Sequence, residues 1–325
     1  MKAKKIITGI ALVGAIAFTA TGCAGGGGAG GGGGDGVITV GFAQTGSESG
    51  WRSANTESMK EAFSEANGFN LIFNAADNKP EAQIAAVRSF INQGVDAIVL
   101  APIVTDGWDD VLKEAKDANI PVILEDRTVS ASEDLYASWI GLDFKKEGET
   151  AGKWVADSFG STPTNMVVLE GTTGSSAATD RAAGFDAAIK GTDIKVLDSQ
   201  TGNFTRADGK TVMEGFLQKY GSQINLLFAH NDDMGLGALE AIKAAGMTPG
   251  TDIKIVTIDA VKDGMTALSN GEFNYIVECN PLLGEKTAEV VKKVVAGESV
   301  DKSYIVEDQA FDQEQAKKVL DSRPY

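Results

Sequence analysis

A chain of 325 residues exceeds the usual size of a single hydrophobic core, so two domains are expected, and 43% hydrophobic content with four Trp excludes a disordered chain. The net charge of -16 argues against a nucleic-acid partner, whose phosphates it would repel, and favours a neutral ligand over a polyanion. With a single His and two Cys, any triad, His-rich metal site or disulfide would have very few residues to build on.

The chain opens with Lys2, Lys4 and Lys5, an apolar run over 6–18 and small residues before Cys23, which together read as an export signal over 1–22. The run is well short of the roughly 18 to 20 residues that would span a membrane. Ala20-Thr21-Gly22-Cys23 resembles a bacterial lipobox, with Ala20 where Leu is preferred, so Cys23 is the expected lipidation site. Residues 23–36, almost all Gly, read as a tether. Without the three signal lysines, 26 basic residues face 45 acidic ones, a charge of about -19. Once Cys23 carries lipid, Cys279 has no disulfide partner, and its apolar surroundings read as those of a buried thiol.

From Val37 onward strands and helices alternate. Strands are expected at 37–42, 71–74, 97–100 and 122–124, with helices at 51–67, 80–93 and 108–118 between them. A second set of strands follows at 166–170, 195–199, 226–229, 253–258 and 275–279, and a helix at 283–296. Regular alternation implies parallel sheets covered by helices on both faces, here as two similar α/β lobes.

Several strands stop at clusters of planar hydrogen-bonding groups: Glu125-Asp126-Arg127, Asn203-Phe204-Thr205-Arg206, His230-Asn231-Asp232-Asp233 and Asp259, with Asp180-Arg181 just beyond a strand and loop. In parallel sheets the carboxyl edge is where ligands bind. Carboxylate, amide and guanidinium forks at that edge suit a small molecule covered in hydroxyls, hence a sugar. Trp51 and Phe204, beside polar clusters in loops, are candidates to stack on a sugar face; Phe42, inside a strand, reads as core, and Trp108 is open.

Competing motifs are weaker. Gly235-Leu236-Gly237 has Glu240 where a dinucleotide fingerprint needs its third Gly, and Gly209-Lys210-Thr211 has Phe204 where a phosphate loop needs its first. The central residue of Gly46-Ser47-Glu48-Ser49-Gly50 is Glu48, not a nucleophile, and His230 reads as strand-end packing. Glu48 and Asp126 could flank a glycosidic bond, but Arg52 and Arg127 beside them would hold both acids ionised, which favours binding over acid catalysis.

Over 37–325 the chain resembles the periplasmic sugar-binding proteins of pentose and hexose importers, the ribose-binding type, and most of all their galactofuranose-binding members. The likeness rests on Gly46-Ser47-Glu48-Ser49-Gly50-Trp51-Arg52, Ala86-Val87-Arg88-Ser89-Phe90, Gln93-Gly94-Val95-Asp96-Ala97-Ile98, Asp126-Arg127, Asp180-Arg181-Ala182-Ala183-Gly184-Phe185 and Ala229-His230-Asn231-Asp232-Asp233-Met234. The resemblance implies an α/β periplasmic binding protein type I fold, in which two Rossmann-like doubly wound lobes are joined by three crossovers near Leu142, Asn280 and Glu298. It divides the chain into 37–141 with 281–298, and 142–280 with 299–325. Glu48, Arg52, Asp126, Arg127, Arg181, Asn231 and Asp259 would touch the ligand, with Trp51 and Phe204 walling the cleft and no contact assigned at 278–280.

It further implies a monomeric, lipid-anchored receptor without cofactor or catalysis. Such a receptor would capture a monosaccharide (galactofuranose, fructose or a similar hexose or pentose) outside the cytoplasmic membrane and pass it to an ABC permease and its ATPase. A sensor feeding a membrane receptor remains an alternative. A repressor of the same fold is disfavoured, because an export signal stands where its helix-turn-helix would be.

Overall fold

The structure, a computed structural model, describes residues 36–325. The expected export signal, the lipidation site Cys23 and nearly all of the Gly tether lie outside the described residues.

The alternation is realised as β1 (Ile38–Gln44), α1 (Gly50–Ala62), β2 (Phe69–Ala75), α2 (Pro80–Gln93), β3 (Ala97–Leu100), α3 (Asp109–Asp117), β4 (Val122–Asp126) and β5 (Ser138–Gly141). A second series follows: α4 (Phe144–Phe159), β6 (Thr164–Glu170), α5 (Ser176–Ile189), β7 (Ile194–Thr201), α6 (Arg206–Tyr220), β8 (Leu226–Ala229), α7 (Asp232–Ala244), β9 (Lys254–Asp259), α8 (Lys262–Ser269) and β10 (Tyr275–Glu278). The chain then runs through α9 (Gly284–Val295), β11 (Ser303–Ile305), β12 (Ala310–Phe311) and α10 (Gln313–Val319).

Two six-stranded sheets result, in the orders β11-β5-β4-β3-β1-β2 and β12-β10-β9-β8-β6-β7. Every pairing is parallel except β10 with β12. In the first sheet, Val40, Phe42, Val99 and Ile123 pack into one core while Ile98, Leu100, Val122 and Leu124 pack into another on the opposite face. Burial on both faces explains why these strands read as continuous apolar runs. Phe42 is core as expected, and Trp108, open from sequence, is core as well, with its indole donating to the Val104 carbonyl at 2.8 Å.

The chain crosses between the sheets after β5, after β10 and after β11. The first two crossings fall near Leu142 and Asn280. The third was placed near Glu298, but β11 pairs with β5 of the first sheet, so the crossing lies between Ile305 and Ala310. Only three exposed or half-exposed residues make β11, too few for an alternation to declare itself. Helix α9 returns to the first lobe, its Gly284 amide donating to Ser58 Oγ on α1 at 3.1 Å. Helix α1 is shorter than the expected 51–67 and stops at Ala62, followed by a 3₁₀ turn over Glu65–Asn67.

Side-chain caps start the helices at the carboxyl edges. Ser49, Asp143, Ser175, Thr205 and Asn231 each accept a backbone N–H from three residues on. Each such cap is worth about 1 kcal/mol and fixes where the helix begins. Arg52 and Arg181 on the early turns of α1 and α5 therefore face the same gap as the ends of β4 and β9.

Candidate functional site

Between the two carboxyl edges lies a small cavity. All nine residues expected to form the site line it: Glu48, Trp51, Arg52, Asp126 and Arg127 from the first lobe, and Arg181, Phe204, Asn231 and Asp259 from the second. Ser49, Phe144, Ala177 and Cys279 complete the wall.

On the first-lobe side, Arg52 is the hub. Its guanidinium donates to Asp126, to Asn55 Oδ1 at 3.1 Å and to Glu48 Oε1 at 3.3 Å, and lies 4.6 Å from the Trp51 ring. Burial opposes the charge on Arg52, but Asp126, Glu48 and Glu125 outweigh it and raise its pKa. Burial likewise pushes Glu48 up, and Arg52 and Arg127 more than offset it, leaving its carboxyl below the usual range. Glu48 and Asp126 thus share one guanidinium on one lobe.

Arg127 is different. Its contacts are long: 3.4 Å to the Ile103 carbonyl, 3.6 Å to Glu48 and 3.7 Å to Asp126. Its buried Nε has no partner, and its guanidinium sits 5.1 Å from the Phe204 ring. Donor capacity left unspent in a buried fork is what a hydroxyl-rich ligand would use.

The second-lobe counterpart depends on two helices touching backbone to backbone. A Cβ at Gly148 would collide with the Arg181 carbonyl, and one at Gly184 with the Lys145 carbonyl, so α4 and α5 approach closely only because both are Gly. That approach lets Arg181 donate to Glu147 Oε2 at 2.7 Å, and to the His230 carbonyl at 2.6 Å, while Asp259 Oδ1 lies 3.6 Å away. Burial raises the Asp259 carboxyl well above its ordinary value; Arg181 opposes this, and the carboxylates of Asp232 and Glu147 add to it.

Phe204 takes a left-handed φ of 62°, a genuine outlier for a bulky residue, and its ring lies where a side chain on Gly171 would be. Asn231 holds it there: its Nδ2 donates to the Phe204 carbonyl at 3.1 Å, while its Oδ1 caps α7 from Met234 N at 3.0 Å. Asn231 lines the cavity, but most of its hydrogen-bonding capacity is spent on the wall itself.

The lobes also touch directly. Gly50 N donates to Asp233 Oδ2 at 2.7 Å, Thr105 N to the Gly174 carbonyl at 2.9 Å, and Thr128 N to Ser176 Oγ at 3.1 Å. Such contacts on both sides of the cavity describe a closed cleft.

Residues 40–299 match the periplasmic binding protein domain. The chain belongs to that family. It is 46% identical over 260 residues, 79% of this chain and 81% of the relative, to the galactofuranose-binding protein YtfQ of Escherichia coli (strain K12). It is similar to a solved structure from Mycobacterium smegmatis in complex with β-D-fucofuranose, with TM-score 0.86 and 57% identity over 89% of this chain and 96% of that one. The periplasmic binding component of the arabinose ABC transporter from Shewanella sp. ANA-3, bound to α- and β-L-arabinofuranose, matches with TM-score 0.84 and 44% identity, covering 88% and 96%. The fold is accordingly the type I arrangement of this family, two α/β lobes around a cleft.

Within this family member, sequence reasoning missed Phe144, Glu147, Glu125 and the cavity-facing position of Cys279. Phe144 follows the first crossing and puts its ring 5.3 Å from the Arg181 guanidinium. Glu125 accepts from Asn55 Nδ2 at 2.6 Å; burial, helped by the neighbouring Asp126 charge, pushes its carboxyl up to about 8. Cys279 is the buried free thiol expected, and its carbonyl also takes the Trp51 indole N–H at 2.6 Å. The paired Gly148 and Gly184 were the one local signal for the Glu147–Arg181 pair.

His230 is fully buried, with Nδ1 3.4 Å from the Gly171 amide and Nε2 unpartnered, which fits packing rather than catalysis. Burial, then the Arg181 charge, lowers its pKa from 6.5 to about 3. The unfolded chain accepts a proton here below pH 6.5 that the folded chain refuses until about pH 3. Stability therefore falls by about 1.4 kcal/mol per pH unit as pH drops through that window. Urea unfolding of wild type and His230→Gln at pH 7 and pH 5 should show wild type losing about 2 kcal/mol more than the variant; equal losses would mean that His230 titrates normally.

Proposed function

We propose that this protein captures a monosaccharide in its furanose form between the lobes and delivers it, cleft closed, to the permease and ATPase of an ABC importer. The observation that carries this reading is the pocket between the lobes, walled by charged forks and aromatic rings, in which Arg127 keeps unspent donors beside the Phe204 face. Relatives named for galactofuranose, β-D-fucofuranose and L-arabinofuranose support the ring form.

In this reading Arg52, Arg127 and Arg181 donate to ring and hydroxyl oxygens, and Glu48, Asp126 and Asp259 meet hydroxyls. Trp51, Phe144 and Phe204 cover the C–H faces, and Asn231 offers its remaining amide hydrogen. A sugar lacking one hydroxyl strands a buried charged group, which is the source of selectivity. No group in the cavity is required to form or break a bond. The first lobe comprises 37–141 with 281–305, and the second 142–280 with 309–325. The protein acts as a monomer, held by lipid on Cys23 at the outer face of the cytoplasmic membrane.

A thermal-shift panel tests the ring form directly. Galactose lacking O5 cannot close a pyranose ring, and galactose lacking O4 cannot close a furanose. Galactose, fucose, arabinose, fructose and 5-deoxygalactose at about 100 times Kd should each stabilise by up to roughly 2.7 kcal/mol, a shift of roughly 5 °C. Stabilisation by 4-deoxygalactose but not by 5-deoxygalactose would reverse the ring assignment, and silence across the panel would remove the sugar.

A further inference from the structure

Asp259 has φ 126° and Ala260 φ 62°, consecutive left-handed residues of which neither is Gly nor Asn, so this bend needs holding from outside. Val261 N donates to Asp232 Oδ2 at 2.8 Å on one side of it. On the other side the Ala260 carbonyl accepts from Arg323 Nη2 at 2.8 Å. Arg323 is itself buried between the rings of Phe311, at 5.3 Å, and Tyr325, at 4.4 Å, and its Nη1 donates to Glu278 Oε1 at 2.6 Å.

Glu278 gathers the rest. Its position in β10 is paired with Asp259 of β9, its Oε1 also accepts from Tyr325 Oη at 2.7 Å, and its Oε2 accepts from Gln309 N at 3.2 Å. Next to it, Asn280 N donates to Asp308 Oδ1 at 3.0 Å. One carboxylate and one guanidinium thus connect the second crossing, the third crossing and the bend that carries Asp259. Neither Arg323, Tyr325 nor Glu278 lines the cavity.

We propose that Arg323, with Tyr325 and Glu278, is a positioning clamp that holds the Asp259–Ala260 bend against two of the three crossings, so that retention of the sugar depends on a segment outside the cavity. The affinity part of this proposal rests on the sugar-binding reading above; the clamp itself is testable without a ligand.

Amide hydrogen exchange of the sugar-free protein supplies that test. Arg323→Ala should speed exchange at Val261 and at Cys279, whose N–H donates to the Asp259 carbonyl at 3.2 Å, by about tenfold, and leave α2 in the first lobe unchanged. Arg323→Lys should recover part of the protection. Tyr325→Phe, which deletes one hydroxyl, should move the same amides less and covers the case in which Arg323→Ala folds poorly. Unchanged exchange at both amides in Arg323→Ala, or in Tyr325→Phe should that variant alone fold, overturns the clamp whether or not any sugar binds.

With a sugar in hand, Arg323→Ala should weaken binding about tenfold, mostly through faster dissociation, and should add almost nothing in an Asp259→Asn background. The same tenfold loss in both backgrounds would mean general loosening and would overturn the positioning role. If wild type binds no sugar, the functional reading fails and the exchange result alone decides the clamp.

Discussion

Arg181→Ala is expected to weaken sugar binding by at least 30-fold. Removing one partner of a buried, hydrogen-bonded charge pair costs about 2 to 5 kcal/mol, because the other charge stays buried without it. Here the loss is threefold: the proposed donor to the sugar, the partner of Glu147, whose Oε1 already lacks one, and the donor to the His230 carbonyl. Arg181→Lys keeps the charge but cannot serve Glu147, His230 and a ligand from one ammonium, so an intermediate loss is expected. The contrast is Arg88→Ala, which breaks an exposed pair with Glu114 and should leave affinity unchanged and stability within about 1 kcal/mol. Calorimetry on the three variants checks this, and an Arg181→Ala protein with wild-type affinity would remove Arg181 from the site.

Arg52→Ala is expected to destabilise the protein even before ligand is added. Two almost fully buried carboxylates, Glu48 and Asp126, share this guanidinium, and Glu125 adds to the negative charge around it. With only the long contacts to Arg127 left, at 3.6 and 3.7 Å, the folded state should lose about 3 kcal/mol, a drop in Tm of roughly 5 °C for a chain of this size. The deficit has a pH signature. Without Arg52 only Arg127 offsets the burial that pushes the Glu48 carboxyl up, so its pKa rises and the variant recovers relative stability as pH falls through the raised value. Calorimetric scans at pH 7.5 and pH 5.5 should therefore show the gap to wild type narrowing in acid. A constant gap would point to lost packing of the long side chain rather than to uncompensated charge.

Both variants strike residues that sequence reasoning had already placed at the site. Parallel βα topology brings every strand's carboxyl end to one edge, so a polar cluster closing an apolar run locates itself: Asp126 at the end of β4, Asn231 after β8 and Asp259 at the end of β9 needed no knowledge of the third dimension. Helix starts are local in the same way, since Ser49, Ser175 and Asn231 cap within three residues of themselves.

Partnerships were not legible in this way. Arg52 meets Asp126 across 74 positions and Arg181 meets Glu147 across 34, and which acid serves which guanidinium depends on how closely α4 and α5 approach at Gly148 and Gly184. Asn231 shows the opposite effect: correct in place, it is largely engaged in capping α7 and holding Phe204. Likewise β11 could join either sheet on its own composition; it pairs with β5 in the first, and the third crossing moved accordingly. By itself the sequence determined the alternation, the two-lobe architecture and the residues at the sheet edges, because short-range periodicity and capping encode them. The tertiary structure decided the charge pairing, the spent and unspent donors and the clamp on Asp259, because those follow from distances between segments that no local pattern records.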